Sequence, residues 1–493
     1  MLNNLLPDLN LPAIPISGMQ YDSRKVGSGE LFFATKGLEV DGRQYVHEVA
    51  PIAAAVLCEA PYQPKFDNDF EVENLSLRKG EVASRFYGEP SSNLNVIAVT
   101  GTNGKTSISH YVAQALTAIN QPCAVIGTLG AGLGDNLSDL GMTTPDAIDL
   151  QRWLYEFKTS GASAVSLEAS SHGLVQGRLS GTRINLAIFT NISRDHLDYH
   201  EDFAAYAEAK STLFSWPGLK SAVVNIDDEF GQVLAKKLNR AAPANLSSAQ
   251  IPGTDGQRVS CMTYSLDRKD ADLRCASVSY HKTGINAVVE YEGEALALQS
   301  SLMGGFNLSN LLAVIATLLS QQVSFAKAVG VVSQLGNVKG RMDVLSAEGR
   351  PTVIIDYAHT PDALKNALLA IKQHASGRVI CVMGCGGDRD KGKRPLMGEV
   401  SVALADHTIV TSDNPRTEDP VAIVEDIIRG LPVDAAVSVE IDRTRAIEMA
   451  LARATPEDLV LVAGKGHEPY QDINGQKLPY SDYAVVENYL SGN

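Results

Sequence analysis

From residue 337 onward, short apolar runs end in polar or glycine-rich residues and alternate with longer stretches of helical spacing. The runs in PTVIIDYAHT (351–360), RVICVMGCGGDRD (378–390), HTIVTSDNPR (407–416) and DLVLVAGKGHE (458–468) read as buried strands. Segments such as PDALKNALLAIKQH (361–374) supply the helices between them. This alternation predicts a doubly wound parallel sheet, with ligands gathered beyond the carboxyl ends of its strands. Every polar motif of the segment sits at such an end. Further upstream, LFFATKG (31–37) and AAAVLCE (53–59) read as short strands of a small α/β unit that closes at the turn-rich YGEPSSNLN (87–95). Between the two lie the apolar runs of SAVSLEASSHG (163–173), INLAIFTNISRDHLDYH (184–200) and SAVVNIDDE (221–229), then alternating strands over 257–300. The expected fold is therefore α/β in three domains: a small N-terminal α/β domain over 1–88, a central phosphate-loop, ATPase-like α/β domain over 89–336, and a Rossmann-like doubly wound domain over 337–493.

The length of 493 residues agrees with several cores rather than one. Lys and Arg number 42 against 57 Asp and Glu, a net charge of −15, which disfavours nucleic acid as the main partner. Six cysteines are scattered without a C-x-x-C pair, as expected of a reducing cytoplasm. No apolar run approaches the ~20 residues that span a bilayer. The opening MLNNLLPDLNLPAIP lacks the basic start of a signal peptide. A soluble, cytoplasmic monomer without membrane insertion is expected.

The sharpest chemical signal is NVIAVTGTNGKTS (95–107): an apolar strand, a glycine turn, and a lysine and threonine opening a helix. Gly101, Thr102, Asn103 and Gly104 would wrap backbone N–H groups around phosphate oxygens, and the helix from about Thr106 would turn its positive end to them. Lys105 supplies a charge for the outer phosphates, and the hydroxyl of Thr106, followed by Ser107, suits Mg²⁺. The general pattern wants glycine where this chain has Val99.

Other candidates are weaker. Glu168, at the end of a strand, is placed to share a metal with Thr106, or to cap a helix. Asn191, Asp195, His196 and His200 cluster after another strand, as metal or phosphate contacts or as turn residues. Lys210, in AAYAEAKSTLF, falls on a helical stretch where the residues alone predict a solvated lysine. Asn307 and Asn310 would hold a base or ribose edge, or cap a helix. Arg341, Arg389, Lys393, Arg394 and Arg416 are expected on loops at strand ends, where cations suit an anionic ligand. GCGGDR (384–389) has Arg389 where a dinucleotide fingerprint needs its third glycine, so a nicotinamide or flavin site is not expected.

Taken together, these motifs resemble the ATP-dependent Mur ligases of bacterial cell-wall synthesis. The likeness runs through DSR (22–24), GELFFATKG (29–37), GTNGKT (101–106), TTPDA (143–147), EASSHGLVQGR (168–178) and TNISRDHLDYH (190–200). It continues in YAEAK (206–210), NIDDE (225–229), GGFNLSN (304–310), GRMD (340–343), DYAHTPDAL (356–364), GCGGDRDKGKRPLM (384–397), DNPR (413–416) and GKGHE (464–468). Val99 agrees with that family's own phosphate loop. DNPR and GCGGDRDKGKR look like the branch that adds meso-2,6-diaminopimelate to UDP-N-acetylmuramoyl-L-alanyl-D-glutamate.

The resemblance implies that the N-terminal domain holds the UDP part through Tyr21, Asp22, Ser23, Arg24, Leu38, Glu39 and Val40. Thr143, Thr144, Ser170, Gln176 and Arg178 would hold the muramoyl-dipeptide end. ATP would lie on Gly101 to Ser107, with Asn307 and Arg341 nearby. Thr106, Glu168, His196 and a CO₂-derived carbamate on Lys210 would bind Mg²⁺. Lys105, Lys210 and His196 would be catalytic. Arg389, Asp413, Asn414, Pro415, Arg416, Gly464 and Glu468 would bind diaminopimelate. For the general base, His196, His359 and the carbamate stay open. Rival readings are an L-lysine-adding relative, a folylpolyglutamate-synthase-like amide ligase and a nucleotide switch, the last lacking an N-K-x-D guanine signature.

Overall fold

A computed structural model describes residues 1–37, 40–134, 136–196, 199–240 and 259–492. The chain forms two compact units, residues 1–264 with 316–323, and residues 265–315 with 324–493.

The first unit opens with four parallel strands in chain order: Gly18–Gln20, Glu30–Ala34, Ala55–Glu59 and Asp69–Val72. Alternation along them divides the core as a pleated strand requires. Leu31, Phe33 and Leu57 pack on Leu2, Leu5 and Val82, while Phe32, Val56 and Cys58 meet Val46 and Val49 on the other face. The larger sheet of this unit runs in the order Ser260–Ser265, Ser221–Asn225, Leu186–Phe189, Asn95–Thr100, Ala164–Glu168, Cys123–Gly127 and Gly130–Leu133. Its pairings are parallel except for the last strand, which folds back as an antiparallel edge. Strand Asn95–Thr100 lies between two parallel neighbours, and its carboxyl end opens into the glycine turn.

The second unit contains three antiparallel strands, Leu273–His281, Gly284–Tyr291 and Glu294–Ser300. Its main sheet has the order Asp343–Leu345, Thr352–Asp356, Leu459–Ala463, Val379–Met383, His407–Val410 and Val437–Val439, parallel apart from the first strand. The expected doubly wound sheet is thus present. Helix Pro361–His374 shows why it starts and stops where it does: Thr360 accepts from the Ala363 N–H, and Pro361 occupies the first turn. Its last residue, His374, accepts the Gly304 N–H at Nε2 (2.8 Å) and lies 2.6 Å through Nδ1 from the His281 carbonyl. These bonds tie Gly304 and the end of strand Leu273–His281 to helix Pro361–His374, within the one compact unit that holds residues 265–315 and the C-terminal sheet.

Candidate active site

The phosphate loop is built on a close approach that only glycine permits. Gly101 has φ +148°, and a Cβ there would stand 1.9 Å from Thr190 Oγ1. Gly104, at φ +85°, then turns the chain into helix Lys105–Ala118. Asn191 sets the loop from below: its carbonyl accepts the Thr102 N–H at 2.8 Å and its Oδ1 accepts the Asn103 N–H at 3.0 Å. Lys105 Nζ arches back over the turn to the carbonyls of Gly101 and Thr102, each 2.9 Å away.

Glu168 lies in the neighbouring strand, 1 % exposed. Its Oε2 accepts from Thr106 Oγ1 at 3.1 Å and from Thr128 Oγ1 at 3.2 Å, while Oε1 accepts the Thr128 N–H at 2.8 Å. A Cβ on Gly127 would come within 2.1 Å of this carboxylate, so a bare backbone is needed beside it. The wall continues directly. Thr144 Oγ1 donates to the Glu168 carbonyl (2.7 Å) and lies 3.0 Å from Ser170 Oγ, while Thr143 meets Thr128. Arg178 donates to the Thr144 carbonyl and to Gln176 Oε1, both at 2.7 Å. The structure therefore gathers Thr106, Glu168, Thr143, Thr144, Ser170, Gln176 and Arg178 into one polar surface.

Lys210 corrects the reading of a solvated lysine. Helix Phe203–Ser211, capped by Asp202, places it 1 % exposed, with Nζ donating to the Gly101 carbonyl at 2.8 Å. The ring of Tyr206 lies beneath it at 4.4 Å, and Tyr206 OH lies 3.0 Å from Thr102 Oγ1. Burial, and secondarily the nearby Lys105 charge, pull its pKa down to about 6. Burial thus favours the neutral amine over the ammonium. His196 has φ +53° and a half-exposed ring, edge-on to His172 with centroids 4.9 Å apart and 3.4 Å through Nε2 from Asp195. His200 packs against Tyr206 and His172. Among the described residues, no three His, Cys, Asp or Glu side chains group as a metal cage.

In the N-terminal sheet, a cavity of ≈ 620 Å³ is lined by Tyr21, Ser23, Arg24, Val40, Tyr45 and Lys79 among others. That size suits a small-molecule site. Asp22 caps the short turn Ser23–Lys25 and pairs with Arg24, while Tyr21 OH reaches Asp149 at 2.7 Å and Lys79 pairs with Asp146. The expected contacts Leu38 and Glu39 lie outside the described residues.

The second unit has its own polar pocket, built from three strand ends and the hairpin Tyr470–Ile473 with Gln476–Pro479. Asn414 Nδ2 donates to Glu468 Oε2 at 2.7 Å, and Asp413 is 7 % exposed. Gly464, at φ +117°, leaves room for Asp413, whose Oδ2 would be 2.4 Å from a Cβ there. Arg416, following Pro415, has φ +50°. It is held by its N–H to the Asp472 carbonyl at 2.9 Å and by Nη1 to the Gly387 carbonyl at 2.8 Å. Arg389 is exposed, with Nη1 3.4 Å from the Asp388 carbonyl. Asn307 donates to the Met303 carbonyl and accepts from Asn310, and the Arg341 guanidinium lies 5.1 Å over the Tyr357 ring. His359 lies 2.8 Å through Nδ1 from the Tyr357 carbonyl, and burial lowers its pKa.

Residues 15–79 match the Mur ligase family catalytic domain, 99–318 the Mur ligase middle domain, and 340–466 the Mur ligase glutamate ligase domain. A relative from Pseudomonas putida, a UDP-N-acetylmuramoyl-L-alanyl-D-glutamate–2,6-diaminopimelate ligase, is 44% identical over 482 residues, covering 97% of this chain and 95% of its own. The chain belongs to the Mur ligase family. A Coxiella burnetii ligase of the same name is 44% identical over 481 residues, covering 96% of each chain. A solved structure of that title aligns with TM-score 0.75 at 37% identity over 100% of this ligase and 98% of the other chain.

One expected anion-binding cation of this Mur ligase is misplaced by its sequence. Arg394 is not on a loop: it lies in helix Lys393–Leu404, fully buried, bonded to Glu418 (2.8 Å) and Asp426 (2.9 Å). Arg394 holds the Glu418 carboxyl down to about 2. Lys393 likewise starts the helix and donates to the His359 carbonyl. The partners Glu418 and Asp426 lie 24 and 32 residues further along the chain, so the local sequence carries no signal of the pairing. Residues that went unnoticed include Thr128, Tyr206 and above all Lys465, a wholly buried cation inside GKGHE.

Proposed function

We propose that this Mur ligase is the ATP-dependent amide ligase that joins meso-2,6-diaminopimelate to UDP-N-acetylmuramoyl-L-alanyl-D-glutamate, with domains over 1–88, 89–336 and 337–493. The observation that carries the reading is the pairing, in one chain, of a phosphate loop backed by Glu168 and a pocket that combines Arg416 with Asp413 and Glu468. The first suits phosphoryl transfer; the second suits a carbon bearing both a carboxylate and an ammonium.

A carboxylate is a poor electrophile. Its oxygen on the D-glutamyl side chain attacks the γ-phosphorus of ATP, the bond to the β–γ bridging oxygen breaks, and ADP leaves. Loop N–H groups and Lys105 offset charge on the transferring phosphoryl group. The diaminopimelate amine then attacks the acyl phosphate carbonyl, loses a proton, and phosphate departs with the C–O electron pair. Arg178, Thr144 and Ser170 orient the dipeptide end, while Tyr21, Ser23, Val40 and their neighbours hold the nucleotide.

Thr106 and Glu168 converge as hard oxygen donors, which fits Mg²⁺, and His196 and a carbamate on Lys210 would be its further ligands. When bound, the cation neutralises phosphate oxygens. The low pKa of Lys210 supports carbamylation, because a neutral amine adds CO₂. No helix among the described residues is long and apolar enough to cross a membrane. A cytoplasmic monomer feeding peptidoglycan synthesis, and through it cell shape and division, completes the reading.

The test is a substrate panel with product mass. UDP-muramoyl dipeptide plus meso-diaminopimelate and ATP should give the tripeptide product and ADP, and folate or L-lysine should not replace their counterparts. Product with folate, or equal use of lysine, overturns the assignment.

A further inference from the structure

The amino-acid pocket is organised around a charge that the reading above does not use. Lys465 follows strand Leu459–Ala463 and Gly464, and its side chain is completely buried. Its Nζ donates to Asn414 Oδ1 at 2.9 Å and to Glu468 Oε2 at 3.1 Å, and lies 4.0 Å from Asp413 Oδ1. The rings of Tyr470 and Tyr480 stand 5.7 and 6.0 Å from it. Asn414 Oδ1 also accepts the Asp472 N–H at 2.9 Å, so two donors point its oxygen one way and its Nδ2 the other, onto Glu468 Oε2. The ammonium and the Asp472 N–H together set the amide orientation of Asn414, the ammonium and Asn414 Nδ2 together hold one oxygen of Glu468, and the ammonium faces Asp413.

We propose that Lys465 is a positioning residue through which the pocket reads the configuration of the distal carbon of diaminopimelate. The proposal rests on the reading of this pocket as the diaminopimelate site. That carbon carries a carboxylate, an ammonium, a hydrogen and the chain. Arg416 and Arg389 suit the carboxylate, and Asp413 and Glu468 suit the ammonium. Two carboxylates against one lysine leave a net negative charge, which the substrate ammonium cancels. Telling the meso from the LL isomer requires that both acceptors stay fixed, because the LL isomer presents the same groups in mirror arrangement at that carbon. A Glu468 released from Lys465 could follow the ammonium to its other position. Discrimination here depends on polar groups that cannot rearrange.

Lys465→Met keeps the length of the side chain and removes the charge. The expected result is a KM for meso-diaminopimelate raised about tenfold or more, in keeping with loss of hydrogen bonds to charged groups, and a meso-over-LL ratio of kcat/KM reduced about tenfold. The KM values for ATP and the UDP substrate should stay within about twofold. A meso-over-LL ratio unchanged from the parent, or equal shifts in all three KM values, overturns the proposal. Asn414→Asp is the second variant, isosteric and therefore suited to a fold that Lys465→Met might lose. A merely structural lysine would tolerate an acidic partner, and the isomer ratio would hold, overturning the proposal. A positioning set predicts the opposite: Asp keeps the oxygen that Lys465 bonds but loses the donor to Glu468, and the isomer ratio falls in this variant as in Lys465→Met. A parent that fails to join meso-diaminopimelate at all overturns the reading of the pocket and this proposal with it. A parent that joins it, with both variants as selective as the parent, overturns this proposal alone.

Discussion

The phosphate-binding end of the first unit and the amino-acid pocket of the second both lie beyond the carboxyl ends of parallel strands, yet they hold charge in opposite ways. In the first, Lys105 and Lys210 both reach the same backbone oxygen, that of Gly101. The burial of Lys210, and secondarily the nearby Lys105 charge, lower its pKa to about 6, so two like charges at that oxygen are disfavoured. In the second, charges of both signs are already paired, as Lys465 with Glu468. On the proposed reading, a backbone cradle recognises a phosphate that every ATP presents, whereas a pocket of pre-paired side chains recognises one zwitterion among similar amino acids. The comparison predicts that damage to the first unit appears in kcat, and damage to the second in the KM for diaminopimelate.

The largest effect belongs to Lys105→Ala. Its charge is placed over the turn that holds phosphate, so turnover should fall about 10³-fold while the melting temperature hardly moves. Kinetics at saturating ATP and a thermal melt check both halves. Turnover within a few-fold of the parent would remove the role assigned to Lys105 and blur the contrast.

Next comes Lys210. Lys210→Ala should lose about 10²-fold or more in turnover and recover part of it with added acetate or formate, which can fill the place of a carbamate. Lys210→Arg should not recover, because it keeps the positive charge a carbamate reverses and cannot be carbamylated. The check is initial rate against carboxylate concentration for each variant. No recovery of Lys210→Ala at any concentration, together with an unmodified lysine by intact mass of the native parent, would defeat the carbamate.

These two residues also show what the sequence made legible. The phosphate loop is one contiguous stretch whose spacing itself encodes the chemistry, so Gly101, Lys105 and Thr106 were readable, as was the doubly wound sheet from its strand–helix rhythm. Lys210 was not readable from its own surroundings. Its burial comes from Tyr206 beneath it and Gly101 opposite, 109 residues away in sequence. Arg394 failed for the converse reason: GDRDKGKR reads as a loop, but the helix begins at Lys393 and Arg394 turns inward to Glu418 and Asp426. Pairing across distant strand ends is a property of the fold, and neither periodicity nor composition reports it.

In the second unit, Arg416→Ala should raise the KM for meso-diaminopimelate by roughly tens-fold, the worth of a charge-assisted hydrogen bond, and leave the KM for ATP unchanged. Arg416 is held by the Gly387 carbonyl through Nη1 and its Nε lies 4.0 Å from Asp472 Oδ2, so the contact to the carboxylate falls to Nη2. The variant should also narrow the preference for diaminopimelate over L-lysine, because lysine lacks the group that Arg416 would bind. Parallel kinetics with both amino acids decides it. A lower kcat with both KM values intact would place Arg416 on the wrong side of the comparison.

The smallest effect tests whether a third place behaves like either. Tyr21 lines the N-terminal cavity, and its hydroxyl donates to Asp149 in the first turn of helix Ala147–Thr159, just after Thr143 and Thr144. On the proposed reading the ring supplies a wall for the nucleotide, and the hydroxyl fixes that wall to the helix that follows the proposed dipeptide contacts. Tyr21→Phe keeps the ring and loses one half-exposed hydrogen bond, worth about 0.5–1.5 kcal/mol, or roughly 2- to 10-fold. That loss should appear in the KM for the UDP substrate alone, since the phosphate loop and the amino-acid pocket share no bond with Tyr21. Tyr21→Ala removes the wall as well and should exceed it. The measurement is ADP release against UDP-substrate concentration at saturating ATP and diaminopimelate. If both variants match the parent in that KM, the cavity beside Tyr21 does not hold the nucleotide. If instead kcat falls while the KM holds, this wall acts on the chemical step and belongs with the phosphate loop.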